Sequence, residues 1–249
     1  MDIAVSYHES LTKLQALDWP QDGPFDRLEW FGLLGPVLAA MAERGDERVL
    51  LPLRREHDHL ASLTYWFSFS WRPLGRSQAL LTALARDLRR QAGRIVLAPV
   101  PGEDGSADAL EQAFREAGWL VFRSTCDENH VLPVEGRSFA EYWAARPGKM
   151  RTTLKRKARK VEVKILTRFD EAAWADYQAV YAQSWKPREE RADILEAFAR
   201  AEGAAGRIRL GLAYAAGEPV AAQFWTVEGG TAYIHKPVSY THLTLPTKA

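Results

Sequence analysis

The sequence predicts an α+β protein in two halves, each built on a mixed sheet, and three observations lead there. Segments of helical and of strand period alternate along residues 25–236. Residues 207–236, RIRLGLAYAAGEPVAAQFWTVEGGTAYIHK, read as three alternating apolar runs joined by tight turns at Ala216 with Gly217 and at Gly229 with Gly230. The second half orders its elements as strand, helix, helix and a meander, and the first half can be read the same way. No residue-level repeat accompanies this, so the duplication is one of architecture.

In the first half, residues 25–43 carry Leu28, Phe31, Leu34, Leu38 and Met41 at helical spacing. Asp22 and Pro24 stand near the start of that stretch and Gly45 past its end, which predicts a helix. Residues 48–54 and 60–71 read as strands, rich in Val, Leu, Tyr, Trp and Phe around a charged turn. Pro73 and Gly75 end that pattern. Residues 77–91 predict a helix with Ser77 as its cap and Leu80, Leu81, Leu84 and Leu88 on one face. Residues 95–99 predict a short buried strand, and residues 106–117 a capped helix closed by Gly118. Residues 119–124 and 129–134 predict a final strand pair.

The second half restarts with a helix at residues 138–143, interrupted at Pro147 and Gly148 and resumed over residues 149–160. The period then switches to two, with Val161, Val163 and Ile165 alternating with Glu162, Lys164 and Leu166, which predicts a strand. Asp170 is placed to cap a helix reaching about Ser184, and residues 188–202 predict another. The meander follows.

Composition bounds the function classes. At 249 residues the chain can hold one large or two modest domains, and 47% apolar with 26% charged residues is ordinary for a globular protein. A net charge of +1 gives no global field for nucleic acid or membrane surfaces. The single cysteine, Cys126, excludes an internal disulfide framework and a cysteine-based zinc cluster. The N-terminus lacks the basic and apolar regions of a secretory signal, and the longest apolar stretch, residues 33–41, is short and contains Pro36. A cytoplasmic protein with no membrane span is expected. His57 and His59 flank Asp58 without a third ligand at metal-site spacing, so no metal is expected. No nucleophile elbow, P-loop or dinucleotide fingerprint is present.

Several stretches, in order, resemble the FemAB-related, CelD-like branch of the GNAT acyltransferases. AYAAGEPVAAQFWTVEGGTAYIHK resembles that branch's central meander, RPGKMRTTLKRKARK the basic helix before the domain's first strand, and Ser184, Trp185 and Lys186 its "S-W-K". FSWRPL, residues 69–74, resembles a segment of the preceding half. The resemblance implies tandem GNAT-like domains with mixed, mostly antiparallel sheets, over residues 1–135 and 136–236, the second incomplete. VSYTHLTLPT, residues 238–247, resembles the translated end of a transposon-based sequencing adapter, so residues 237–249 are expected to be a non-native tail. The family's cofactor loop follows the strand ending at His235. Its residues are expected to be missing, and the chain as written is expected to be inactive and poorly soluble.

The chemistry the resemblance implies is acyl transfer from acetyl-CoA or another acyl-CoA co-substrate to an amine or hydroxyl on a small-molecule, glycan or peptide acceptor. Such transfer needs a neutral nucleophile, a route for its proton and donors for the developing oxyanion. Alternation puts Thr231, Tyr233 and His235 on one face of the last strand. Tyr233 is a candidate donor to the leaving thiolate and His235 a candidate proton acceptor; the competing reading of both is packing at a strand end. Gln223, read as a buried amide, and Trp225 share a face and are candidate substrate contacts, as are Trp185 and Lys186 in the connection before Pro187. Arg146, Lys149, Arg151, Lys155, Arg156, Lys157, Arg159, Lys160 and Lys164 are opposed only by Glu162. Arg151, Lys155 and Arg159 fall on one helical face with Arg156 beside them, either an anion-binding surface for phosphates or nucleic acid, or a solvated face. Two rival functions stay open: a non-catalytic RNA or anionic-polymer module, and a FemAB-like transferase using aminoacyl-tRNA.

Overall fold

A computed structural model describes residues 2–239, and its contacts divide the chain into two units after Asn129. The first unit is built on a five-stranded sheet of β1 (Ala4–His8), β2 (Leu38–Arg44), β3 (Glu47–Arg55), β4 (Leu60–Ser62) and β5 (Ile95–Val96), in that order. β5 joins β4 in parallel and every other pair is antiparallel. The expected helix over residues 25–43 is only α1 (Leu28–Leu33); the rest of it is β2. Gly35 at φ 109° and Pro36 break the helix, and β2 is then buried on both faces from Leu38 to Ala42. A strand covered on both sides shows no period of two, which hides it from a periodicity reading. β1, not anticipated from the sequence, pairs along β2.

The expected strand at residues 60–71 keeps only three residues, because the aromatic run after it packs as a cluster instead of a ladder. Phe25 meets Trp30, Phe67 and Phe69 with ring centroids 5.0–6.4 Å apart. Trp71, fully buried, follows this run and donates from Nε1 to Pro52 O at 2.9 Å. α2 (Gln78–Leu88) lays Leu80, Leu81, Leu84 and Leu88 onto β2 and α3 (Ser106–Glu116), each worth about 1.5–3 kcal/mol when fully buried. Ser77 holds the cap position of α2, but its hydroxyl turns to Glu47 instead, and Gly105 holds that position at α3. β5 is not buried: Ile95 is half-buried and Val96 exposed. Residues 119–134 form no strands: Trp119 anchors to Ala85 O at 2.7 Å, and Leu120, Phe122 and Val131 beyond it are exposed.

The second unit carries an antiparallel four-stranded sheet, β6 (Glu162–Leu166), β7 (Ile208–Ala215), β8 (Glu218–Glu228) and β9 (Thr231–Ser239), neighbours in that order. Both meander turns form as read, with Ala216 and Gly217 at φ 52° and 86° and Gly229 and Gly230 at 54° and 79°. α6 (Glu171–Ala182), capped by Asp170 Oδ1 accepting from Ala173 N at 2.8 Å, packs on β8 and β9, and α7 (Ala192–Ala204) packs on β7. Trp174 stacks on Tyr177 and meets Phe224 of β8 edge-on, forming the core between helices and sheet. Gly203 lets α7 approach: a Cβ there would stand 2.5 Å from Phe169 N. α4 (Phe139–Ala144), begun by the Ser138–Glu141 capping box, and α5 (Gly148–Ala158) bury none of their residues. Both units are therefore α+β with mostly antiparallel sheets. The tail expected over residues 237–249 lies outside the described residues from 240 onward; Pro237, Val238 and Ser239 pair with Gln223, Ala222 and Ala221 as part of β9.

Candidate functional site

The site is organised by an irregularity in β9. From Glu228 opposite Thr231 to Trp225 opposite Ile234 the β8–β9 register is regular; it then slips, and Phe224 stands opposite Lys236. His235 is the extra residue of this bulge. Two consecutive side chains, His235 and Lys236, consequently turn toward the helix-covered side, and both are buried. Strict alternation would have sent Lys236 to the other face, so the bulge is what brings it into the site.

His235 lies among Phe198 and Phe224, ring centroids 5.3 and 4.9 Å away, with Nε2 at 2.8 Å from Thr226 Oγ1. Burial lowers its pKa to about 3, so the imidazole is neutral at ordinary pH. That is the geometry of the packed histidine. The sequence-based expectation of a base titrating near neutrality does not describe this environment. Tyr233, half-buried, stands opposite Thr226 on the same side of the sheet.

Lys236 Nζ is held by the Glu189 carboxylate and lies 5.1 Å from the Tyr181 ring centre. Burial, and the charge of Lys186, lower the ammonium to about 7, while the Glu189 carboxylate pulls the other way, toward the charged form. The same surroundings lower Lys186 and raise the phenols of Tyr181 and Tyr177, all through burial. The connection from α6 to α7 is fastened beside this cluster. Ser184 Oγ donates to Tyr181 O at 2.7 Å, Lys186 N donates to Ser184 Oγ at 3.3 Å and Tyr181 OH donates to Pro187 O at 2.9 Å. Trp185 is 77% exposed on this connection, a surface aromatic.

The structure thus brings His235 and Lys186 beside Lys236, Glu189 and Tyr181, residues the sequence reading did not single out; Tyr233 lies on the same face of β9, and Trp185 adjoins Lys186 along the chain. Nothing local marks an ion pair between positions so far apart in sequence, and a bulge leaves no periodic signal. Gln223 and Trp225 are elsewhere. Gln223 is exposed on the uncovered face, where its Oε1 accepts from Trp225 Nε1 at 3.1 Å, so the expectation of a buried amide is corrected. Arg151, Lys155, Arg156 and Arg159 are all exposed on or at the end of α5, and none of the four makes an ion pair among the described residues.

Comparison with known proteins bears on this unit directly. Residues 148–242 match the family model described as Acetyltransferase (GNAT) domain. The match spans the basic helix, the whole second sheet and the bulge. No curated protein matches the chain. Among solved structures, the chain is similar to the C-terminal domain (DUF2156) of a putative lysylphosphatidylglycerol synthetase from Agrobacterium fabrum. That likeness has a TM-score of 0.52 and 12% identity, over 90% of this chain and 66% of the other. At that identity it speaks for the fold alone, and this chain spans about two thirds of the neighbour's length. Among the described residues, no helix is long and apolar enough to cross a membrane.

Proposed function

We propose that the GNAT-like unit transfers an acyl group from an acyl-CoA thioester to an amine or hydroxyl acceptor, with Lys236 as the proton acceptor. The family match supports the reaction class, and one observation carries the role: a buried lysine, turned inward by the β9 bulge and brought near neutrality, beside the segment bearing Trp185 and Lys186. A buried amine that loses its charge near pH 7 can act as a general base. The acceptor heteroatom attacks the thioester carbonyl, its proton passes to Lys236 Nζ, the C–S bond breaks, and the thiolate takes a proton from Tyr233. Glu189 holds Nζ in place, and neutral His235 fixes the strand through Thr226. The motif order of residues 146–236 supports placement among FemAB-related, CelD-like transferases, with a sugar, amino-sugar or peptide acceptor of the cell envelope or exopolysaccharide. The experiment is calorimetric binding of acetyl-CoA together with thiol release in the presence of glucosamine or glycylglycine. Lys236→Met should retain acetyl-CoA affinity and lower the release rate by about 10²–10⁴. Thiol release by the parent chain would also set aside the expectation of an inactive chain, and no acetyl-CoA binding by it would sink the reading.

A second reading is favoured by Arg151, Lys155, Arg156 and Arg159, exposed and without an ion pair among the described residues: transfer of an aminoacyl group from tRNA, or simple RNA binding. It predicts RNA affinity that collapses with salt and no thiol release from acetyl-CoA.

A further inference from the structure

α4 and α5 bury none of their residues, whereas every other helix among the described residues buries three or more of its own. Phe139 is 72% exposed, and Met150 and Leu154 are each 50% exposed. On α5, Met150, Leu154 and Ala158 recur at four-residue spacing and make a narrow apolar stripe. Arg151, Lys155 and Arg159 run along one side of it, Lys149 and Arg156 along the other, and Lys157 closes it at the C-terminal end. Residues 146–160 carry eight Lys or Arg and no Asp or Glu. None of Lys149, Arg151, Lys155, Arg156 and Arg159 makes an ion pair among the described residues. The helix dipole favours cations in the last turn, but Lys149 and Arg151 stand in the first, where it disfavours them. The charge is therefore not there for the sake of the helix.

We propose that α4 and α5 dock on an anionic lipid bilayer, with the stripe of α5 in the boundary between headgroups and acyl chains and its cations on the lipid phosphates. A helix with an apolar stripe between basic flanks lies in the plane of such an interface. Its long basic side chains can lay their aliphatic stems along hydrocarbon and keep their charges among the headgroups. A cluster of roughly four to eight Lys or Arg on one helix is what an anionic leaflet attracts. α4 adds Phe139, stacked on Trp143 with ring centroids 5.9 Å apart, and aromatic rings settle at the same depth. A single-stranded RNA would use the cations but offers Met150 and Leu154 nothing to bury against, because bases stack on aromatic faces. A groove on another protein takes more anchors than these two large side chains provide. The chain's net charge of +1 does not oppose docking, since charges further than about 10 Å from the lipid are screened at about 0.1 M salt. Away from a membrane α5 is a solvated face; the bilayer supplies hydrocarbon and negative charge together.

The test is flotation of the full chain on vesicles of phosphatidylcholine with about one-third phosphatidylserine, against vesicles of phosphatidylcholine alone, at several salt concentrations. The expected result is flotation with the anionic vesicles only, weakening as salt rises. Replacing Lys155, Arg156 and Arg159 with Gln should lower the partition coefficient roughly a hundredfold, about fivefold for each cation. Met150→Gln combined with Leu154→Gln keeps every charge and should lower it by about tenfold or more, while leaving any affinity for single-stranded RNA as it was. Neither variant touches a buried residue, so denaturant midpoints should match the parent and separate lost binding from lost fold. No flotation with anionic vesicles, equal flotation with neutral ones, or a partition coefficient indifferent to the Met150 and Leu154 pair would overturn the assignment. RNA affinity that falls with that pair would do so too, by giving the stripe to nucleic acid.

Discussion

His235, the bulge residue of β9, reaches diagonally across to Thr226 of β8, Nε2 to Oγ1 at 2.8 Å, with Phe198 and Phe224 closing over the imidazole. The consequence is a pH dependence of stability. The folded histidine titrates near 3, below its ordinary 6.5, so the unfolded chain takes up the proton first as pH falls. The stability of the neutral, buried ring is complete above about 6.5 and is lost on going down toward 3, at most about 1.4 kcal/mol per pH unit. Denaturant midpoints of the second unit between pH 7.5 and 4.5 should show that loss, and His235→Gln should flatten it. An equally steep curve in the variant would refute the assignment.

Asp26 should act with the opposite sign. Its carboxyl is raised to about 6 by burial, so the folded chain binds the proton before the unfolded chain does. Stability therefore rises as pH falls from above 6 toward 3.8, and the charged form is a cost at pH 8. Asp26→Asn should raise the stability of the first unit at pH 8 by up to about 3 kcal/mol and remove the gain on acidification. A variant less stable than its parent at pH 8 would show that the charged form is the better partner of Arg72.

Legibility in the sequence followed the physics of each element. The meander was plain because its turns demand positive φ and its strands cover one face, so Gly217, Gly230 and the alternation through Leu210 and Leu212 all point the same way. β2 was read as helix because LAAMAER is buried on both sides and built from good helix formers, and only pairing with β1 and β3 makes it a strand. The apolar run at residues 119–134 has strand composition but forms no ladder, although β5 stands at the sheet edge, so composition misled there. At the site, Tyr233 and His235 were visible on their strand, whereas Lys236 depended on a one-residue slip and Glu189 on a tertiary contact. Neither of the last two has a local sequence correlate.

Gly203 should be intolerant of any side chain. It is buried in α7, and an added Cβ would stand 2.5 Å from Phe169 N and 2.6 Å from Phe169 Cβ, a clash that backbone on one side cannot relieve cheaply. Gly203→Ala gains helix propensity worth about 1 kcal/mol but forces α7 away from that segment, and overpacking of this kind costs about 1–3 kcal/mol or more. Net destabilisation of the second unit is the expected outcome in a denaturant titration. An alanine variant more stable than the parent would mean that α7 sits further from Phe169.

The basic helix should separate stability from binding. Lys155, Arg156 and Arg159 are exposed and make no ion pair among the described residues, so replacing all three with Gln removes only their favourable position at the C-terminal end of α5, worth a few tenths of a kcal/mol each. Thermal stability should stay nearly constant. Polyanion binding should not: a single-stranded RNA that contacts all three would lose about 0.7 from the slope of log affinity against log salt for each charge removed, roughly 2 in total. Fluorescence anisotropy with a labelled oligonucleotide at several salt concentrations measures that slope. A parent chain with no measurable RNA affinity at low salt would leave α5 as a solvated face and remove the RNA-dependent reading, while a slope unchanged by the triple variant would place the anion site on other cations.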